Sequence, residues 1–253
     1  MDVNDYLDRI QSGPVEAPSY AYLAKLQVAH LLTVPFENLS VRHGERIVLD
    51  ERLLVQKIVV RGRGGFCYEL NGAFGWLLRQ LGFAVTRVSA RVYNASQQEF
   101  GPEFDHMALL VHLDQTYLVD VGFGDSVRQP LALPHGVAQD VSGCYRILPV
   151  EQAQDDYRLQ KWTDGIWQDQ YAFTTVAHEL AAYTDLCDYH QSSPHSPFTG
   201  RTVCTCATSG GRLTLSADSL TISAGDAKTK IPILSADEFA VLLNEHFRIR
   251  LVG

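Results

Sequence analysis

Arg63-Gly64-Gly65-Phe66-Cys67-Tyr68-Glu69-Leu70-Asn71 places one cysteine directly after a glycine-rich turn. After it, apolar residues recur at helical spacing until Gly82, a typical helix stop: Leu70, Phe74, Leu77, Leu78 and Leu81. This pattern predicts a helix with Cys67 on its first turn. The positive end of a helix dipole and its unpaired N–H groups lower the pKa of a thiol and favour the nucleophilic thiolate. The stretch therefore predicts a nucleophile site, with a small buried cysteine as the structural alternative.

Two later segments supply partners for such a nucleophile. The segment from Phe104 to Val111 is typical of a strand, with His106 near its start. The segment from Thr116 to Gly124 is typical of a second strand, with Asp120 inside an apolar run. A carboxylate in that run is costly to bury without a partner. Cysteine, histidine and carboxylate are the parts of a thiol nucleophile, its base and the group that orients the base.

The register in which the two predicted strands pair tests whether His106 and Asp120 can meet. Directly opposite residues of an antiparallel pair share a face, so opposing His106 to Asp120 requires a reversal centred at residue 113. The turn signal Asp114-Gln115 centres the reversal at 114.5, which places Asp120 opposite Leu109 on the other face. We therefore expect a bulge or a wider loop in this hairpin, since bulges are common beside active sites.

Further motifs accompany these residues: Val-Pro-Phe-Glu-Asn-Leu at 34–39, His106-Met107, Val-Asp-Val-Gly-Phe-Gly at 119–124, Ser196-Pro197-Phe198, and Gly-Gly-Arg-Leu-Thr-Leu at 210–215. With them the chain resembles the arylamine N-acetyltransferase family over nearly its whole length. The motifs are highly specific in the first half and looser after about residue 140. By this resemblance Cys67, His106 and Asp120 match the catalytic triad of the family.

The resemblance implies a ping-pong acetyl transfer. The Cys67 thiolate attacks acetyl-CoA to give an acetyl-cysteine, and an arylamine, arylhydrazine or N-hydroxyarylamine then takes the acetyl group. Acetyl-CoA is thus the expected co-substrate, and an aromatic amine or hydrazine is the expected small-molecule partner. Gly124 and Thr208 are expected to contact the cofactor. Phe66 and Phe123 are expected to pack against the aryl ring, with plain core residues as the alternative.

The fold implied is α+β and has three parts. Residues 1–82 are expected to form a helical bundle carrying Cys67, and residues 83–185 a β-barrel carrying His106 and Asp120. Residues 186–253 are expected to form an α/β lid. The first two parts are expected to share a cysteine-protease-like core of the transglutaminase and papain type. Sequence patterns agree with this layout, because alternation along 85–93 predicts a strand and Ser235 caps a C-terminal helix.

Composition limits the function classes. The net charge of −8, from 21 basic and 29 acidic residues, argues against binding to nucleic acid or acidic membranes. The five cysteines are odd in number and irregularly spaced, which favours a reduced, cytoplasmic protein over a disulfide framework. The sequence shows no apolar run long enough for a membrane span, and its first residues lack the basic and apolar regions of an export leader, so export is not expected. No metal site is predicted.

Two other activities share the same three residues. An amide synthase would use the triad to release a polyketide as a macrolactam, taking its acyl group from an acyl carrier protein instead of CoA. A thiol hydrolase would use water in place of the amine. The motifs at 34–39 and 119–124 favour the transferase over the hydrolase.

Neighbouring ionisable residues have separate expected roles. Glu37 is expected to pair with Arg9 or Arg63, since a buried carboxylate needs a partner. Strand alternation points Asp105 to the face opposite His106. His112 is the alternative base, although about 20 Å of strand separates it from His106.

Overall fold

The computed structural model describes residues 2–151, 155–225 and 227–250, and it contains two antiparallel sheets, with most of the helices before the first sheet and the others in the C-terminal part. The helices are α1 (Val3–Ile10), α2 (Tyr20–Thr33), α3 (Leu39–Arg42), α4 (Glu51–Val55) with a π-helical turn (Gln56–Val60), α5 (Cys67–Gln80), a 3₁₀ helix (Leu180–Tyr183), α6 (Thr184–Ser192), α7 (Pro197–Gly200) and α8 (Ala236–Phe247). The strands are β1 (Phe36–Glu37), β2 (Ala84–Asn94), β3 (Glu99–Phe100), β4 (His106–His112), β5 (Thr116–Val119), β6 (Leu131–Ala132), β7 (Val137–Asp140), β8 (Gly143–Pro149), β9 (Tyr157–Thr163), β10 (Ile166–Phe173), β11 (Val203–Thr208), β12 (Gly211–Ser216), β13 (Ser219–Ala224) and β14 (Ala227–Pro232).

The first sheet curls into a nearly closed antiparallel β-barrel. Its strands run in the order β6-β5-β4-β2-β10-β9-β8-β7, and β3 pairs with β2. The two ends of the sheet approach each other, because β6 at one end contacts both β7 and β8 at the other. Apolar side chains fill the interior: Val88, Ala90, Leu110, Leu118, Ile147 and Tyr171. The prediction of a mixed fold with a β-barrel is confirmed.

Helix α5 begins at Cys67, as the sequence predicts, and packs against β4 and β2. The Glu69 carboxylate accepts from Phe66 N at 3.1 Å and pairs with Lys57 Nζ at 2.6 Å. Because a buried charge needs a partner, this pair fixes the first turn of the helix. Gly64, in the turn before α5, lets the backbone pass close to Pro35, because a Cβ at residue 64 would lie 1.9 Å from Pro35 O.

The second sheet joins the two ends of the chain. Its strands run β1-β11-β12-β13-β14, so the N-terminal strand β1 pairs with the C-terminal strand β11. Asn38 strengthens this link by donating to Phe198 O at 2.7 Å and Arg201 O at 2.6 Å. The boundary between the second and third predicted parts, at residue 186, stays a prediction. Strand β1, which belongs to the first part, is built into the sheet of the third part.

Across the residues that the structure describes, no helix combines the length and the apolarity that crossing a bilayer requires.

Candidate active site

The Cys67 side chain lies at the N-terminus of α5 and faces a cavity of about 530 Å³. His106, at the start of β4, and Phe123 line the same cavity, which we call the Cys67 cavity. Cys67 and His106 are only 4% and 2% exposed, so both side chains are largely shielded from bulk solvent. The cavity therefore offers a sulfur and an imidazole to one bound reactant.

His106 and Asp120 are in direct contact. His106 Nε2 lies 2.7 Å from Asp120 Oδ2. The β4–β5 ladder pairs Leu109 with Val119 and His112 with Thr116, which centres the reversal on residue 114. The continued register sets Asp120 opposite residue 108, on the face of His106. The sequence predicts a reversal of the hairpin at 114.5, which is wrong by half a residue. The expected wider loop is confirmed, because three residues, 113–115, connect the two strands.

The Asp120 carboxylate accepts four hydrogen bonds. Oδ2 accepts from His106 Nε2 and from the Tyr171 hydroxyl at 3.0 Å. Oδ1 accepts from Asn71 Nδ2 at 2.9 Å and from Gly122 N at 2.8 Å. Burial raises the pKa of Asp120, but the charge of His106 and the hydrogen bonds from His106, Asn71 and Gly122 outweigh it, so the net pKa lies below its usual value. Asp120 is therefore ionised. It holds the His106 ring through Nε2, which leaves Nδ1 of that ring to exchange a proton with a reactant.

The thiol behaves differently from the sequence-based expectation. Burial raises the pKa of Cys67 well above its usual value; a hydrogen bond with the Met107 backbone lowers it, and Asp105 and Asp120 raise it further. The helix N-terminus does not offset the loss of water, so the expected lowering is wrong. A thiolate in this cavity requires an adjacent cation, and protonated His106 is the group placed to supply one.

Gly122 lets the carboxylate strand approach the nucleophile. A Cβ at this position would lie 2.8 Å from Cys67 Cα and 2.7 Å from Asn71 Nδ2. Real Cβ contacts are longer, so any larger residue would push β5 and α5 apart. The glycine thus sets the spacing between the segment after β5 and the first turn of α5.

The aromatic residues predicted to contact substrate lie in different surroundings. Phe123 lines the Cys67 cavity, and its ring centroid is 5.3 Å from that of His106. Phe66 is fully buried, with its ring edge-on to Tyr68 and to Phe198. Phe198 stands in the cavity wall instead. Phe66 therefore supports an aromatic wall residue from behind, because the glycine turn and α5 fold it into the core.

The two predicted cofactor contacts are also separated. Gly124 lines the Cys67 cavity with φ of 94°, a conformation that favours glycine. Thr208 ends β11, where its carbonyl accepts from Arg128 Nη1 at 2.6 Å, and it is not among the residues lining that cavity. Hydroxyl side chains of the second sheet form the facing wall: Thr205, Thr214 and Ser216.

The other ionisable residues are placed as follows. Glu37 pairs with Arg63 at 2.8 Å, one of the two expected partners, while Arg9 donates to backbone carbonyls. His112 is exposed and hydrogen-bonded to threonines at the far end of β4. Asp105 lines the Cys67 cavity together with His106, so its expected placement on the opposite face is wrong. Among the described ranges, no cluster of three or more His, Cys, Asp or Glu residues is placed to hold a metal ion.

Sequence reasoning missed two residues that hold the carboxylate. Asn71 lies four residues after Cys67 on the same helix, so helical spacing was a usable signal. It donates to Met107 O at 2.6 Å and accepts from Val121 N at 3.0 Å. Tyr171 comes from β10, 51 residues beyond Asp120, and its position follows only from the strand order of the barrel.

A sequence profile of the N-acetyltransferase family matches residues 19–253. The pineal gland isozyme NAT-3 arylamine N-acetyltransferase of Gallus gallus is 30% identical, and the alignment covers 99% of this chain and 95% of that protein.

Two solved structures share the whole fold. An arylamine N-acetyltransferase from Bacillus cereus superposes with a TM-score of 0.93 at 29% identity, covering 99% of this chain and 100% of that one; it is described as having a unique Cys-His-Glu catalytic triad. The Mycobacterium marinum arylamine N-acetyltransferase in complex with CoA gives a TM-score of 0.88 at 30% identity, covering 98% and 93%.

Proposed function

The chain belongs to the arylamine N-acetyltransferase family, and we propose that it transfers acetyl groups through Cys67, His106 and Asp120. One observation carries the residue assignment. His106 is hydrogen-bonded to Asp120 at 2.7 Å, and it lines the same cavity as Cys67. This arrangement supplies a nucleophile, its base and the group that orients the base.

Acetyl-CoA is the proposed donor. A Mycobacterium marinum relative was solved in complex with CoA. In this chain Gly124 brings backbone close to the cavity, and the hydroxyls of the second sheet offer hydrogen bonds to a polar chain. We also propose the predicted contact at Thr208, which ends strand β11 of that sheet. The named relatives give no support to an acyl carrier protein as the donor.

The reaction proceeds in two half-reactions. His106 takes the thiol proton, and the Cys67 sulfur attacks the thioester carbonyl. The carbon–sulfur bond to CoA breaks, and the leaving thiolate takes the proton from His106. The acceptor nitrogen then attacks the acetyl-cysteine while His106 accepts a proton from that nitrogen, and the Cys67 thiolate departs. Asp120 remains ionised and stabilises the imidazolium throughout.

The apolar walls select the acceptor. Phe123 and Phe198 both line the cavity, and flat aromatic rings pack favourably against such side chains. Arylamines, arylhydrazines and N-hydroxyarylamines combine that ring with a nucleophilic nitrogen or oxygen. Phe66 contributes indirectly through its contact with Phe198.

The architecture supports a shared catalytic core. We propose that the helices of residues 1–82 and the barrel of residues 83–185 form a cysteine-protease-like unit. Helix α5 supplies the nucleophile and β4 supplies the base, and the two pack together. Residues 186–253 then act as a lid, which β1 anchors to the first part.

Intact mass spectrometry after brief incubation with acetyl-CoA, without amine, tests this proposal. We expect a mass gain of one acetyl group on Cys67 that added aniline or a hydrazine discharges. Cys67→Ala should abolish the adduct, while Cys187→Ala, a matched change at another buried cysteine, should retain it. An adduct that persists in Cys67→Ala would remove the nucleophile assignment.

A further inference from the structure

A second histidine–carboxylate pair faces the Cys67 cavity. His190 Nε2, from α6, lies 3.1 Å from Asp105 Oδ1, in the turn that enters β4. Both residues line the cavity. His190 is 4% exposed, and the Asp105 side chain is 18% exposed. The acetyl-transfer steps derived above leave this pair unused.

A strained turn places Asp105 there. Phe104 has φ of 65°, in the left-handed region that bulky residues avoid. Two hydrogen bonds hold it: Phe104 N donates to Ser89 Oγ at 2.7 Å, and the Tyr68 hydroxyl donates to Phe104 O at 2.7 Å. The turn breaks strand alternation, so Asp105 joins His106 on the cavity wall. The fold thus tolerates strain to bring a carboxylate close to the nucleophile.

Both ring nitrogens of His190 lie within hydrogen-bond distance of a side-chain oxygen. Asp105 Oδ1 accepts, so Nε2 carries a proton. Nδ1 lies 3.2 Å from Ser196 Oγ, and that hydroxyl, which has a single proton, donates to the His190 carbonyl at 3.1 Å. With its proton engaged in that bond, Ser196 Oγ is placed to accept from Nδ1. A ring that donates from both nitrogens has the hydrogen-bond pattern of an imidazolium, which places a positive charge against Asp105.

A positive charge on His190 affects the nucleophile through Asp105. After burial, Asp105 is among the carboxylates that raise the pKa of the Cys67 thiol. An unpaired carboxylate at this place would hold the proton on sulfur. We propose that His190 is a positioning residue that neutralises Asp105, so that the cavity admits the Cys67 thiolate. This inference rests on the proposed role of Cys67 as nucleophile.

Other ionisable groups surround the pair. They are Cys67 and Tyr68 of α5, His106 of β4, Asp120 after β5, Tyr183 of the 3₁₀ helix, Cys187 and Tyr189 of α6, Arg201 after α7 and Arg91 of β2. Arg201 lines the cavity but is exposed, so solvent and salt screen its charge. Arg91 pairs with Asp155 at 3.3 Å. Buried His190 is therefore the cation that bonds directly to Asp105.

The test measures alkylation of Cys67 by iodoacetamide as a function of pH, read by peptide mass spectrometry. In His190→Gln we expect about tenfold slower alkylation at neutral pH, the size of a one-unit change in thiol pKa, with the profile moved to higher pH. The double variant His190→Gln/Asp105→Asn should return to within about threefold of the wild type, since the uncompensated carboxylate is gone. His112→Gln, the same change at an exposed histidine of β4, should leave the profile unchanged.

A wild-type profile in His190→Gln, or a double variant as slow as the single one, would overturn the inference. Ser196→Ala provides a second variant if His190→Gln fails to fold: it removes the acceptor for Nδ1 and should give a smaller shift in the same direction. Alkylation needs neither acetyl-CoA nor amine, so the two proposals fail differently. A Cys67 that never reacts refutes both proposals, whereas a reactive Cys67 that is insensitive to His190 refutes only this inference.

Discussion

Asn71 Nδ2 donates to Asp120 Oδ1 at 2.9 Å, which links the helix of the nucleophile directly to the carboxylate that orients the base. The same nitrogen donates to Met107 O, and Asn71 Oδ1 accepts from Val121 N. One amide side chain thus connects α5, β4 and the segment after β5. The spacing between Cys67 and His106 depends on this connection as well as on the barrel.

We expect Asn71→Ala to lower both activity and stability. It leaves the Met107 carbonyl and the Val121 N–H without their side-chain partner, and an unsatisfied buried group costs about 1–3 kcal/mol. The acetylation rate of Cys67 should fall at least about tenfold, since about 1.4 kcal/mol of lost positioning already has that effect. Stopped-flow acetylation and urea unfolding would measure the two losses. Wild-type values for both would show that the link is dispensable.

Tyr171→Phe isolates one of the four donors to Asp120. The ring is kept, including its contact with His106 at 5.1 Å between centroids, and only the hydroxyl is lost. A donor to the charged form lowers a carboxyl pKa, so its removal should raise the pKa of Asp120. Activity should fall modestly at neutral pH and further in acid. A pH–rate profile parallel to that of the wild type would contradict this account.

Much of the site was predictable because it depends on local patterns. Helical spacing and the glycine turn place Cys67 at the start of α5, and apolar alternation places His106 at the start of β4 and Asp120 directly after its partner strand β5. The face that they share was not predictable from the turn residues. A half-residue change in the centre of the hairpin moves a side chain to the other face, and such a change depends on loop geometry.

The remaining features depend on tertiary contacts. Asp105 turns into the cavity because Ser89 and Tyr68, from other elements, stabilise a left-handed Phe104. The pKa of Cys67 depends on burial by the barrel, which outweighs the helix end visible in the sequence. Neither effect leaves a signal in the residues adjacent to the one affected.

Substitutions at Asp120 separate charge from geometry. Asp120→Asn removes the charge and the tautomer lock, and in a serine-hydrolase triad the equivalent change costs about 10⁴-fold in rate. Asp120→Glu keeps the charge but lengthens the side chain, and the Bacillus cereus relative is described as using a Cys-His-Glu triad. We expect Glu to retain more acetylation activity than Asn, measured as single-turnover rates. Equal rates for the two variants would show that the charge at this position is unimportant.

Gly122→Ala should be disproportionately harmful for a single methyl group. Its Cβ would meet Cys67 Cα at 2.8 Å and Cys67 O at 3.0 Å, both backbone atoms that cannot rotate away. Overpacking of this kind costs about 1–3 kcal/mol, and here it also moves the nucleophile. Thermal unfolding and the acetylation rate should both decrease. Gly200→Ala, where a Cβ meets nothing within 4 Å, is the matched control and should change neither.

The ionised state of Asp120 predicts how stability responds to acid. Its pKa in the folded protein lies below the usual value of 3.8, because the charge of His106 and hydrogen bonds from His106, Asn71 and Gly122 outweigh burial. A group with a lowered folded-state pKa stabilises the protein above its unfolded pKa and loses that contribution as pH falls through the folded one.

The difference in unfolding free energy between wild type and Asp120→Asn should therefore stay constant from pH 7 to about pH 5 and shrink below about pH 4. Urea unfolding at each pH measures it, and the control is Asp164→Asn in the β9–β10 turn, an exposed position. A difference that instead grows as the pH falls would mean that Asp120 is protonated in the folded protein. It would then donate a hydrogen bond instead of stabilising the imidazolium of His106.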